Sequence, residues 1–298
     1  MRVANAPCSW GILEFESTMN APSPVQVLDE IAATGYAGTE LGDWGFLPTD
    51  PRRLAADLGA RRLALVGAFV DVALTDPAAH DAGEAAAVRT ARLLAAVGGD
   101  APMIVLSDAT ARVTARTARA GRITAADGLT GGQWEVVAGG AERIASAVRD
   151  RTGLRTAFHH HCATFVETPD ELEALMRRTS SELLGLCLDT GHAAFGGGSP
   201  AAIVDCYRSR IWHVHVKDCS REIAERARTE GWDYRTAVRR GLFCELGRGS
   251  VDLRGVADRL HDIGYDAWVV VEQDVLPSTG TPAASAARNR QLLSELGL

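Results

Sequence analysis

Eight short apolar runs, spaced along 298 residues and separated by segments of helical periodicity, leave this chain very few folds to adopt. The runs are 2–9, 38–42, 63–70, 103–108, 155–161, 183–189, 211–217 and 267–273. Between them, segments such as 24–34, 82–97, 133–150, 169–178, 200–208 and 256–263 carry apolar residues on one helical face. Thr168-Pro169-Asp170-Glu171 and Ser199-Pro200 mark helix entries, each with a capping hydroxyl before a proline at the first helical position. Gly35, Gly98 and Gly264 mark exits. Strands that alternate with helices build a parallel sheet, because a crossover of that length returns the chain in the same direction. A dinucleotide-binding fold needs G-x-G-x-x-G after its first strand, where this chain reads Cys8-Ser9-Trp10-Gly11-Ile12; Gly196-Gly197-Gly198 lacks the spacing too. The expected fold is an α/β (β/α)8 TIM barrel, with 1–298 as one domain.

Four of the later runs are apolar until their ends and then turn to metal-binding residue types. They finish in His159-His160-His161, in Leu188-Asp189 followed by Thr190-Gly191-His192, in His213-Val214-His215-Val216-Lys217-Asp218, and in Glu272-Gln273-Asp274. All strands of a parallel barrel point the same way, so these ends meet at one mouth. Side chains alternate between faces, so His159 pairs with His161 and His213 with His215, and imidazoles fit the interior better than the helix-covered outside. A lone buried histidine is ordinarily a hydrogen-bonded core residue, and a lone strand-end aspartate a helix cap. Four such ends at one mouth are a constellation, and His161, Asp189, His215 and Glu272 are the expected ligands of one divalent metal. Two imidazoles and two carboxylates suit Mn2+, the favoured ion, and also Co2+, Zn2+ or Fe2+.

Other strand-end residues complete the expected site. Lys217 and His192 are candidates for proton donation or hydroxyl binding, and Glu272 for the base. Glu40 ends the second strand and is placed to orient a ligand histidine. Trp10 and Phe69 offer an apolar wall, with plain packing as the alternative, and His159 and Arg248 are further candidates to contact substrate.

A net charge of −7 argues against a nucleic-acid surface. Arg112, Arg116, Arg119 and Arg122 read as a solvated face. Six dispersed cysteines without a C-x-x-C pair suit a reducing compartment and mostly buried thiols. With no apolar signal core at the start and no run of membrane-spanning length, the expectation is a cytoplasmic protein with no membrane partner and the option of a homo-oligomer.

The strand-end motifs resemble the xylose-isomerase-like TIM barrels, a family with sugar epimerases, hydroxypyruvate isomerase and inosose dehydratase. The resemblance covers nearly the whole chain and is most specific at Leu188-Asp189-Thr190-Gly191-His192, His213-Val214-His215-Val216-Lys217-Asp218, Gly247-Arg248-Gly249-Ser250-Val251-Asp252 and Val271-Glu272-Gln273. It implies metal-ligand roles for Asp189, His215 and Glu272. Matching Glu167 to a glutamate that epimerases carry six residues after their fourth ligand places His161 at that ligand position, where epimerases have a carboxylate. Asn5-Ala6-Pro7-Cys8-Ser9-Trp10-Gly11, the segment from Phe158 to Thr168, and Val271-Glu272-Gln273-Asp274-Val275 are most similar to the inosose dehydratase branch. The implied reaction is a metal-dependent dehydration of inosose (2-keto-myo-inositol) or a related polyhydroxylated carbonyl compound through an enediolate. The alternatives are a sugar or sugar-phosphate isomerase or epimerase, and a C-glycoside-cleaving subunit that needs a partner chain. The related endonuclease type would need three metals and a basic face, against the charge balance.

Overall fold

The structure is a computed structural model that describes residues 1–13, 22–109, 112–274 and 281–298. Eight parallel strands close into a barrel: β1 (Arg2–Asn5), β2 (Gly38–Glu40), β3 (Ala64–Val72), β4 (Met103–Asp108), β5 (Thr156–His159), β6 (Leu184–Asp189), β7 (Ile211–Val216) and β10 (Trp268–Val271), with β10 between β7 and β1. Seven lie inside the expected apolar runs, and β3 continues two residues beyond its run of 63–70. Beyond them, β8 (Asp218–Cys219) and β9 (Phe243–Cys244) pair antiparallel on the far side of β7.

Helices α1 (Pro24–Ala33), α3 (His80–Val97), α5 (Gly131–Thr152), α6 (Pro169–Met176), α8 (Pro200–Tyr207) and α11 (Leu253–Asp262) match the amphipathic segments. Thr168 caps α6 in a reciprocal box with Glu171, and the Ser199 hydroxyl accepts from Ala202 N–H at 3.4 Å. The chain adds α2 (Pro51–Gly59), α4 (Thr114–Arg119), α7 (Thr190–Phe195), α9 (Arg221–Glu230), α10 (Tyr234–Arg239) and α12 (Pro282–Glu295). Among these, α9 buries only Ala224 and Ala227, and α4 buries Arg116 and Thr117, so neither carries an apolar stripe to read.

Alternation along the strands sorts two cores. Leu65, Ile104, Phe158, Leu186, Leu188, Val214, Val269 and Val271 pack outward in the layer under the helices. The barrel interior holds Met103, Val105, Ala157, Cys187 and Trp212 on one side and Ala4, Val66, Trp268 and Val270 on the other. A register shift sets the place of Trp212: Leu186 pairs with Ile211 but Cys187 with His213, so Trp212 is the extra residue.

The arginine cluster is a solvated face only in part: Arg112 and Arg119 are exposed, whereas Arg116 and Arg122 are built into the fold. Arg116 is 1% exposed, grips Glu171 with two bonds of 2.8 Å and donates to Thr164 O at 2.7 Å. Arg122 donates to the carbonyls of Ala118, Ala227 and Trp232, while Arg112 and Arg119 pair with Asp71 and Asp127. The thiols are mixed: Cys162, Cys187 and Cys219 are buried, Cys8 and Cys244 half-buried and Cys206 exposed. Among the described residues no helix is long and apolar enough to cross a membrane.

Candidate metal centre at the barrel mouth

His159, Asp189, His215 and Glu272 converge inside the barrel, one donor atom of each within 4.8 Å of the others. His159 Nε2 and Asp189 Oδ2 are 3.5 Å apart, His215 Nδ1 and Asp189 Oδ2 3.9 Å, and His215 Nδ1 and Glu272 Oε2 3.3 Å. Three of these atoms, His159 Nε2, Asp189 Oδ2 and His215 Nδ1, are buried with no hydrogen-bond partner. Buried polar atoms are normally satisfied, and an orphan costs about 1–3 kcal/mol. Three orphans aimed at one point, all good donors to a borderline cation, fit a divalent ion.

The sequence favoured His161 over His159 as the fourth ligand, whereas the structure brings His159 into the group of four. β5 stops at His159; the chain then turns, with His161 N–H donating to Val166 O at 3.0 Å. His161 is spent elsewhere: its Nδ1 lies 2.6 Å from Cys162 O and its Nε2 3.5 Å from the Tyr234 hydroxyl. The alignment through Glu167 fails for a physical reason. Glu167 accepts from Gly121 N–H at 2.6 Å and Ala163 N–H at 2.8 Å, bracing the loop instead of facing the cleft, and burial pushes its carboxyl up to about 7.

Asp189 serves two structures with two oxygens. Oδ1 accepts from His192 N–H at 2.8 Å and caps α7, while Oδ2 faces the ion point. Glu40 lies behind His215, its Oε1 2.7 Å from His213 Nε2 and 3.0 Å from His215 Nε2. Burial opposes its ionisation, but His215 and His213 outweigh that and hold the carboxyl down at about 2. The anionic Glu40 thereby keeps Nδ1 of His215 turned to the centre. Burial lowers the His159 and His161 imidazoles, as neutral ligand or acceptor rings require. His215 moves the other way: burial opposes its charge, but Cys187, Glu272 and Glu40 together raise it well above the usual range.

Lys217 is 1% exposed and sits among carboxylates, 3.1 Å from Glu272 Oε2, 3.5 Å from Asp189 Oδ2, and 3.2 and 3.1 Å from the two oxygens of Asp274. Burial would discharge it; Asp189, Asp274 and Glu272 prevail and keep it an ammonium. His192 lies wholly buried beneath His161, ring centroids 3.7 Å apart, and does not line the cleft. Its Nδ1 accepts from Cys162 N–H at 3.2 Å, which leaves the ring proton on Nε2; that N–H lies 3.2 Å from Lys217 Nζ, a contact between two donors and not a hydrogen bond.

The cleft over this centre encloses about 540 Å³ including its open mouth, and Glu40, Phe69, His159, His161, Lys217 and Glu272 line it. Cys8, Asp43 and Asp274 line it too, unforeseen from the sequence. Asp274 was within reach, two residues after Glu272 on the same alternating face. Two expected contacts are corrected. Trp10 is buried in the outer core with its indole N–H on Glu30 at 2.6 Å. Arg248 points away and pairs with Glu245 at 2.9 Å, its side chain 70% exposed. The loop around it serves another carboxylate: Gly247, Gly249 and Val251 N–H groups wrap Asp218 at 2.9, 2.9 and 3.1 Å. A Cβ at Gly249 would lie 2.1 Å from Asp218 Oδ1. Val275 of the resemblance motif lies outside the described residues.

The model of the xylose isomerase-like TIM barrel family matches residues 28–296. The chain belongs to this family. It is 30% identical over 295 residues to a protein of Geobacillus kaustophilus named inosose dehydratase, covering 99% of this chain and 94% of that one. In fold it is similar to the IOLI protein solved with a zinc atom, at TM-score 0.71, 14% identity and coverage of 99% and 98%. It is likewise similar to the probable 3-DHS dehydratase AsbF of Bacillus anthracis, at TM-score 0.70, 14% identity and coverage of 98% and 99%. With this family the chain shares its barrel and its standing as an enzyme.

Proposed function

We propose that the protein is a metal-dependent lyase that removes water from inosose or a closely related neutral polyhydroxylated ketone. The observation that carries this reading is the set of orphaned donors at the barrel mouth with a buried lysine beside them. The similarity to proteins named inosose dehydratase and to a probable dehydratase supports the reaction class.

His159, Asp189, His215 and Glu272 would hold the ion. When bound, a divalent cation supplies Lewis acidity that polarises the ketone and acidifies the neighbouring C–H. Glu272 directs Oε2 to His215 and Lys217. Its Oε1 takes the proton from carbon. Lys217, held charged by Asp274, hydrogen-bonds the departing hydroxyl. That hydroxyl leaves with one proton as water, so the net change is loss of H2O. Phe69 covers the apolar face of the ring, and Glu40 fixes the angle of His215.

Charge favours a neutral substrate over a sugar phosphate. Glu40, Asp43, Glu272 and Asp274 line the cleft, and its one cation, Lys217, is held by three carboxylates. Arg112 pairs with Asp71, and residues 14–21, 110–111 and 275–280 contain no Lys or Arg. Epimerisation by two carboxylates is disfavoured, because β5 ends in a histidine.

The test is incubation of metal-free protein with inosose, with and without Mn2+ or Co2+, following ultraviolet absorbance and product mass. The expected result is metal-dependent loss of one water with a new conjugated chromophore. Metal binding without water loss would overturn the dehydratase reading and leave the ion site standing.

A further inference from the structure

A second groove of about 860 Å³ lies beside the cleft, between the loop that follows β2 and the chain entering α1. Ile12 and Asp43 line both spaces, so the two adjoin there. Trp44 and Phe46 form one wall, and Pro22 and Pro24 the other. Trp44 is 42% exposed, and Val25, next to Pro24, is 52% exposed. Among the described residues these are the exposed large hydrophobic side chains; Trp44 lines the groove, and Val25 follows its lining residue Pro24 in the chain. Clustered apolar exposure at a concave site marks a place that something covers.

The loop is built to present Trp44. Gly42 (φ 68°) and Gly45 (φ 96°) adopt left-handed backbone on either side of Asp43-Trp44, and Phe46 N–H closes the turn on Asp43 O at 3.0 Å. A Cβ at Gly42 would sit 2.9 Å from Pro7, so the approach is tight. The Arg89 guanidinium, 4.3 Å from the indole centroid, holds the ring as a fixed plate. At the junction of the two spaces the half-buried Asp43 carboxylate has no hydrogen bond or ion pair among the described residues; burial and the nearby Asp71 raise it. An indole plate with an unpaired acceptor beside it suits a ring that has one apolar face and a rim of hydroxyls.

We propose that this groove is a second subsite, receiving a neutral polyhydroxylated ring joined to the one that reacts. Trp44 stacks on its C–H face, and Asp43 accepts hydroxyls at the link between the rings. The described lining residues include no lysine or arginine, and Arg89 is taken up by the indole, which favours a neutral occupant; the residues shared with the cleft favour one joined to the reacting ring. The proposal rests on the cleft's being a polyol site.

Calorimetric titration with two unreactive ligands tests it: myo-inositol, a single ring, and galactinol, the same ring bearing a galactosyl group. Galactinol is expected to bind at least tenfold tighter. Trp44→Ala should abolish that gain while leaving myo-inositol binding unchanged, and Trp44→Phe should keep most of it. Equal affinities for the two ligands, or a gain that survives Trp44→Ala, would overturn the second subsite alone. Binding of neither ligand would overturn both the subsite and the polyol reading of the cleft. Light scattering on the same samples closes the remaining route: a dimer that Trp44→Ala splits would give the groove to a second copy of this chain and overturn the proposal.

Discussion

At the N-terminal end of the barrel two indoles fill the interior, whereas at the C-terminal end the same strands enclose unsatisfied charge. Trp212 lies against Gly185, where a Cβ would come within 2.1 Å of the ring, and Trp268 lies against Gly38 and Val66. Both indole N–H groups are satisfied, by Ser209 O at 3.4 Å and Asp100 O at 3.3 Å. Arginines close the plug from outside, Arg155 at 3.4 Å from the Trp212 centroid and Arg2 at 4.2 Å from that of Trp268. Four strand positions further along, His159, Asp189 and His215 leave donors orphaned. One end is built of packed indoles and aliphatic side chains beside a groove that Trp212 and Trp268 line; the other gathers donors that a divalent ion would satisfy. Stability resides in the first and chemistry in the second, as parallel barrels divide these tasks generally.

The sharpest way to break this division is to strip the ion. Chelation should reduce turnover below detection, with recovery on adding Mn2+ or Co2+, while a urea melt still shows a cooperative transition. His159→Ala should lose metal on gel filtration and His161→Ala should retain it, as read by elemental analysis; the opposite pattern would restore His161 to the ligand set.

Next in size is the plug. Trp212→Ala should lower unfolding free energy by about 3–5 kcal/mol, the usual cost of emptying a large aromatic site. Metal affinity, measured by competition with a chromophoric chelator, should not change. A fall in both would mean the two ends are coupled.

Glu40 spans the interior between them and gives an intermediate effect. Glu40→Gln removes the negative charge of the oxygen that both histidines share, and metal affinity should drop about 10–100-fold, as when a ligand's supporting partner is removed. Unchanged affinity would show that His215 is oriented by packing alone. The smallest effect belongs to the outer lid of the plug. Arg155→Ala should cost about 0.5–1 kcal/mol in a denaturant melt, the scale of an exposed cation–π contact.

Local pattern made much of this legible. Strand and helix alternate with periods of 2 and 3.6, so the eight strands and six of the helices could be read from residues alone. The mouth residues Asp189, His215, Lys217 and Glu272 were legible too, because each ends an apolar run on its inward face. Helices α4 and α9 were not, since they bury arginine, threonine and alanine in place of an apolar stripe. Trp10 and Arg248 misled because proximity to a strand end says nothing of direction: one side chain turned to Glu30 and the other to Glu245. Asp43 and Trp44 gave no sequence signal, being an ordinary loop pair until Gly42 and Gly45 turn them to the mouth.

The sequence by itself determined the order of strands, the barrel they close, and the kinds of donor at its mouth, because alternation and helix signals are properties of neighbouring residues. Only the tertiary structure decided which histidine joins Asp189, His215 and Glu272. His159 and His161 share a face by local rule, and the choice depends on where β5 leaves the sheet. That point is set by its pairing with β4 and β6 and by the turn closed between His161 and Val166. Contacts between strands distant in sequence, not the sequence near the histidines, place the His159 ring among the donors of Asp189, His215 and Glu272 and the His161 ring beside them.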